Sequence, residues 1–234
     1  MPDDKQYMIE AKNISFSYGK KSVLRDISFK VKAGECLVLA GVNGAGKSTL
    51  MTILAGLRRA KTGEVVCRGK IGYLPQGISL FEDMTVEDNL RFFAGISKCK
   101  VPENLPFSLD RRRKERVGKL SMGQKRQVSI ACTLLGEPEI LMFDEPAASL
   151  DVVYRDELIQ WLLQTKKEGR TIIYVGHDPI EFVEFYDKLL FLGEEAQYFE
   201  RKSLSDNQDD NSVFYKNYIN IITNKEKDKG VHHG

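Results

Sequence analysis

The stretch that most limits what this chain can fold into is Gly41-Val42-Asn43-Gly44-Ala45-Gly46-Lys47-Ser48-Thr49, a G-x-x-x-x-G-K-S run followed by a threonine. Such a run works between a strand and a helix N-terminus. There its glycines let several backbone N–H groups converge on one anion, and the helix dipole adds partial positive charge. The flanks supply that context: Glu35–Ala40 is an apolar run of the buried parallel-strand type, and Leu50–Leu57 reads as a helix. Lys47 offers a mobile cation to outer phosphates, and the Ser48 hydroxyl a ligand for Mg²⁺. The expected ligand is therefore a polyphosphate, held at the head of an α/β unit.

A chain of 234 residues accommodates one domain, or one domain with a small subdomain. Its net charge of +2 gives no electrostatic case for nucleic acid. Cys36, Cys67, Cys99 and Cys132 are scattered without a C-x-x-C pair, which argues against zinc. Met1–Lys5 does not open a signal peptide, and no stretch reaches the roughly 18–20 apolar residues of a membrane span. The expectation is a soluble, cytoplasmic chain with reduced thiols.

Along the chain, Ile9–Tyr18 and Val23–Val31 alternate apolar and polar residues around the basic turn Gly19-Lys20-Lys21, the pattern of antiparallel strands. Glu64–Cys67 and Lys70–Leu74 read as short strands. Thr85–Ser97 reads as a helix capped by Thr85, with Val86, Leu90, Phe93 and Ala94 on one face. The charge run Arg111-Arg112-Arg113-Lys114 reads as a solvated helix face. A helix over Gly123–Leu135, an apolar strand Ile140–Phe143, a helix Asp151–Lys167 with Trp161 in the core, and a β-branched strand Thr171–Val175 complete a largely parallel α/β layer fold. Ligand belongs at the carboxyl ends of such strands. Beyond Arg201, Ser205–Ser212 reads as a loop, Val213–Ile222 as a short docking helix, and Asn224–Gly234, with His232 and His233, as a tail.

A phosphate loop needs a carboxylate at the end of a neighbouring strand to hold Mg²⁺, and Asp144 stands directly after Ile140–Phe143. Glu145, one residue on, is placed to polarise a water attacking the γ-phosphate. Some twenty residues earlier, Leu120-Ser121-Met122-Gly123-Gln124 leads into Lys125–Ala131.

This last stretch resembles the signature motif of ABC ATPases, and the order of the other motifs agrees over roughly Met8–Gly193. The resemblance implies a P-loop NTPase fold of ABC type: a mostly parallel core sheet, an N-terminal antiparallel β subdomain and a small helical subdomain. The ATPase domain would span residues 1–203, with the helical part at about 77–137 and a polar C-terminal extension over 204–234. The resemblance further implies that Tyr18 stacks on adenine, that Gly41–Thr49 cradles the phosphates, and that Gln76 contacts Mg²⁺ or the attacking water. Ser48, Gln76 and Asp144 would serve the metal, while Glu145, His177, Gln76 and Lys47 would carry catalysis, His177 as the γ-phosphate switch. Ser149-Leu150-Asp151 matches the loop at the dimer interface. Ser121, Gly123 and Gln124 would close over ATP bound by a second subunit, homodimeric or heterodimeric, in head-to-tail array. Met122 replaces the first glycine usual in the signature, and Gly63–Gln76 is short, so the strand region before Gln76 is expected to be trimmed.

The implied function is the ATP-hydrolysing subunit of an ABC transporter, bound to a separate transmembrane permease on the cytoplasmic face and exporting a drug, peptide or lipid. An importer subunit, or a non-transport ABC ATPase of translation or DNA repair, is the alternative. The single cassette, without a long coiled-coil or zinc insertion, favours the transporter.

Overall fold

The apolar runs form the centre of a six-stranded sheet. The computed structural model describes residues 7–148, 150–193, 195–201, 214–215 and 218–220. Strands β1 (Tyr7–Tyr18), β2 (Lys21–Lys32) and β4 (Thr62–Cys67) make a three-stranded antiparallel sheet in the order β2-β1-β4. Strands β3 (Cys36–Gly41), β5 (Ile71–Leu74), β6 (Ile140–Asp144), β7 (Thr171–Val175), β8 (Lys188–Leu192) and β9 (Gln197–Glu200) make the second, in the order β5-β6-β7-β3-β8-β9. All neighbours in it are parallel except β9, which pairs antiparallel with β8.

A parallel sheet has to be covered on both faces, and the alternation along each strand shows how. Leu37 and Leu39, Ile140 and Met142, and Ile173 and Val175 enter one cluster, with β1, β2 and helix α1 (Lys47–Leu54). Their neighbours Val38, Leu141, Phe143, Ile172 and Tyr174 enter the opposite cluster, with Leu158, Ile159 and Leu162 of helix α4 (Val152–Lys167). A third cluster joins Val86, Leu90 and Ala94 of helix α2 (Val86–Ser97) to Val128 and Ala131 of helix α3 (Met122–Thr133). Thr85 caps α2 in a reciprocal box with Asp88.

Several expectations shift in detail. Helix α1 starts at Lys47, directly on the phosphate loop, and stops at Leu54, because Gly56 turns left-handed (φ 72°). The charge run at 111–114 is not a solvated helix face. It overlaps the end of a 3-10 turn, Pro106–Arg112, with Arg111 and Lys114 exposed, while Arg113 is drawn inward to bind Glu87, Asp110 and the carbonyls of Pro102 and Glu103. Trp161 is half-buried, edge-on to Phe143 at 5.9 Å and tilted against Phe107 at 5.6 Å. The C-terminal segment docks as expected at its described positions: Phe214 and Tyr218 are helical and buried. Ser149, the 205–212 loop, the 224–234 tail with its histidines, and residues 1–6 lie outside the described residues. Among the described residues, no helix is long and apolar enough to cross a membrane.

The strand order decides where chemistry gathers. β5, β6, β7 and β3 are adjacent and parallel, so Gln76, Asp144, Glu145, His177 and the phosphate loop all emerge along one edge.

Candidate active site

The loop between β3 and α1 is shaped by its glycines. Gly41 takes φ 140° against the Leu192 carbonyl, with no space for a side chain. Gly46 takes φ 100° at the head of α1, where a Cβ would stand 2.8 Å from both Val23 and Leu24. Only glycine fits both demands. Lys47 folds back over the loop, its Nζ donating to Gly41 O at 2.8 Å and Val42 O at 3.2 Å. Burial holds its ammonium below the ordinary lysine range, opposed by the nearby charges of Glu145 and Asp144.

Asp144 closes β6 and is 2% exposed. Burial lifts its carboxyl above the usual range, while the adjacent Ser48 hydroxyl and the Lys47 and Arg126 cations pull the other way. Its Oδ1 is buried and has no hydrogen-bond partner among the described residues. An orphaned buried carboxylate oxygen beside a serine hydroxyl is a hard-oxygen donor set. It suits a Mg²⁺ ion that takes its remaining ligands from water and phosphate.

Glu145 sits at φ 51°, a left-handed conformation that costs a non-glycine residue on the order of 1–3 kcal/mol. The strain turns its carboxylate toward two neighbours. Gln76 Nε2 donates to Oε2 at 2.7 Å, and His177 Nε2 lies 2.6 Å from Oε1. Gln76 is itself held through its backbone: the buried Arg126 of α3 donates to Pro75 O at 3.2 Å and Gln76 O at 2.7 Å. Tyr18 ends β1 half-exposed, its hydroxyl 3.4 Å from Thr49 Oγ1, with the Arg58 guanidinium 5.1 Å from its ring centre.

These residues border one cleft of about 590 Å³, lined by Tyr18, Lys21, Val23, Asn43, Gly44, Gly46, Lys47, Ser48, Thr49, Gln76, Glu145 and His177. Gly41, Val42 and Ala45 build the loop without lining it, and Asp144 lies beneath. Ser121, Gly123 and Gln124 are not brought to this cleft. Ser121 caps α3 in a reciprocal box with Gln124, and Gly123 is pressed against the Tyr154 ring, where a Cβ would not fit. Gln124 borders a separate hollow with Phe107, Arg111 and Tyr154. Asp151 caps α4 by accepting from Tyr154 N at 3.1 Å, and Met122 is exposed.

Sequence reasoning passed over three contributors. Lys21 and Val23 come from the start of β2 and reach the cleft from the antiparallel sheet. Arg126 was legible in part, because helical spacing places it on the same face as the buried Ile130.

The family model described as ABC transporter matches residues 24–148, more than half of the chain. The chain is 35% identical over 198 residues to the linearmycin resistance ATP-binding protein of Bacillus subtilis, covering 76% of this chain and 63% of that protein. It is also 35% identical over 210 residues to the sulfate/thiosulfate import ATP-binding protein of Escherichia coli, covering 80% and 58%. The chain thus spans less than two thirds of the length of either relative. A solved ATP-binding subunit of an ABC transporter superimposes with a TM-score of 0.74 at 27% identity, over 84% of this chain and 91% of that one.

Proposed function

The chain belongs to the ABC transporter family of ATP-binding proteins, and from that premise we propose that it hydrolyses ATP to drive a separate membrane permease. The observation that carries this reading is the convergence of Gln76, Glu145 and His177 at the mouth of the phosphate cradle. In this reading Lys47 releases the loop carbonyls and turns to the outer phosphates, while the backbone N–H groups of the loop hold the rest. Tyr18 lies against adenine. Ser48, Asp144 and Gln76 would hold a Mg²⁺ ion, which would supply positive charge against the phosphates. Glu145 takes a proton from the attacking water, and Gln76 and His177 fix the direction of its carboxylate.

The signature residues act in a second copy. Ser121, Gly123 and Gln124 sit away from the cleft of their own chain, at the N-terminus of α3, where a helix end favours an anion. Two subunits arranged head to tail would each offer this end to the partner's ATP, giving two composite sites that open after hydrolysis. The divisions of the chain follow: an ATPase domain over 1–203, a helical part at about 77–137, and an extension over 204–234.

Export of a drug, peptide or lipid is the direction proposed, supported by the short region between α2 and α3 and by the likeness to a resistance protein. The likeness to a sulfate importer favours an importer subunit as the second reading. On either, the chain attaches to the cytoplasmic face of the membrane through its permease. Purification from membranes tests this: the expected result is magnesium-dependent ATPase activity that travels with a polytopic membrane protein. Recovery with ribosomes or DNA instead would contradict it.

A further inference from the structure

We infer that Phe214 and Tyr218 are positioning residues for His177, bracing the loop after β7 from behind and so setting where the histidine meets Glu145. This rests on the ATPase reading above and extends it to a segment beyond the region matched by the family model.

The loop has little freedom on its inner side. Gly176 has no room for a side chain, since a Cβ would meet the Tyr174 ring at 2.6 Å and Glu181 Oε2 at 2.8 Å. Tyr174 donates to that same Glu181 oxygen at 2.9 Å, inside the core. Asp178 accepts from Ile180 N at 3.0 Å, starting the short turn Pro179–Glu181. What these contacts leave is the His177 backbone itself, and its carbonyl accepts from the Tyr218 hydroxyl at 3.3 Å, 41 residues away in sequence.

Tyr218 is anchored well enough to make that contact count. It is 2% exposed and Phe214 1%, values otherwise found in the protein's core. The Tyr218 ring lies 5.8 Å from both Phe182 and Phe214, and Phe214 lies 4.8 Å from Tyr186. Phe182 and Tyr186 follow the histidine loop, and Phe182 also lies 6.4 Å from Tyr174, which precedes it, so the aromatic cluster meets both ends of the loop. The chain of contact runs Tyr218 to His177 to Glu145, with the last step 2.6 Å. Displacements of well under an ångström at the reacting centre change rates, so a brace on His177 acts on turnover, while nucleotide affinity rests chiefly on the phosphate loop.

The test uses the full chain with Tyr218→Phe, which removes one hydroxyl and keeps the buried ring, and Phe214→Leu as a second, volume-sparing variant. Steady-state ATPase assays are paired with NMR of the histidine ring Cε1–Hε1 signals. The chain has three histidines, His177, His232 and His233, so a His177→Ala control assigns the relevant one. In Tyr218→Phe we expect kcat to fall about 2- to 10-fold, the rate equivalent of one neutral hydrogen bond, with KM for ATP within about twofold. We also expect the His177 ring signal to move without nucleotide, and Phe214→Leu to move it in the same way. An unmoved ring signal, or kcat and KM changing together, overturns the brace. A His177→Ala protein with wild-type turnover overturns instead the catalytic role given to His177, whatever the ring signal shows.

Discussion

His177 Nε2 stands 2.6 Å from Glu145 Oε1, and the two residues arrive there from the ends of neighbouring parallel strands, β7 and β6. With Gln76 on the other oxygen at 2.7 Å, the carboxylate is oriented from both sides. Each carboxylate oxygen keeps a further lone pair for a water. Orientation of this kind is what the general base proposed for Glu145 would require, and Glu145 holds it at a left-handed φ of 51°.

Lys47 spends its charge on two loop carbonyls in this structure, a weak substitute for phosphate oxygens. Lys47→Ala should therefore reduce ATP affinity about 10- to 100-fold, the equivalent of a lost charge-assisted hydrogen bond or two. Calorimetric titration with ATP measures it. Wild-type affinity in the variant counts against the cradle.

Arg126 uses a fork of donors to hold Pro75 O and Gln76 O, and a lysine of equal charge cannot copy it. Arg126→Lys should lower turnover more than ATP binding, because the Gln76 side chain loses its fixed origin. A concurrent stability loss of about 1–3 kcal/mol is expected from the imperfectly satisfied buried carbonyls. Denaturant unfolding and ATPase assays together check this. An enzyme with unchanged turnover would show that Gln76 needs no such support.

Glu181 carries a pH signature. Burial raises its carboxyl above the ordinary range, opposed by the hydrogen bond from Tyr174. The native state thus holds this proton more tightly than the unfolded chain does. The ionised side chain becomes a liability as pH rises from the unfolded carboxylate value through the raised one. Glu181→Gln keeps an acceptor for Tyr174 and removes that liability. Its melting temperature should exceed wild type by roughly 2–4 °C at pH 7.5, if the penalty is near 1 kcal/mol, and match it near pH 4. An equal difference at both pH values would falsify the titration account.

The parallel sheet was legible because its strands are buried on both faces and therefore read as unbroken apolar runs, as in Ile140–Phe143 and Thr171–Val175. Asp144 and Glu145 were legible because they directly follow such a run, whereas Gln76 and His177 were placed by the resemblance to ABC ATPases; adjacent parallel strands deliver all four to one edge. The pattern did not reveal what depends on contacts between distant segments. Arg113 lies in a run of four charges, and only the packing of α2 against the 102–113 loop turns it from a solvent group into a clasp on Glu87. Lys21 and Val23 reach the cleft because the antiparallel sheet is stacked beside the phosphate loop, a relation no local spacing encodes. The hydroxyl of Tyr218 meets His177 for the same reason. The start of α1 at Lys47 instead follows from Gly46, whose φ of 100° ends the loop one residue before the lysine.

The central claim is that Glu145 activates the water. It is tested most directly by measuring ATP binding, hydrolysis and association state together in Glu145→Gln. The amide keeps the shape and removes the base, so ATP should still bind, turnover should fall by about 10²- to 10⁴-fold, and ATP should hold the protein as a stable dimer in size-exclusion chromatography. Hydrolysis at the wild-type rate in that variant would contradict the claim.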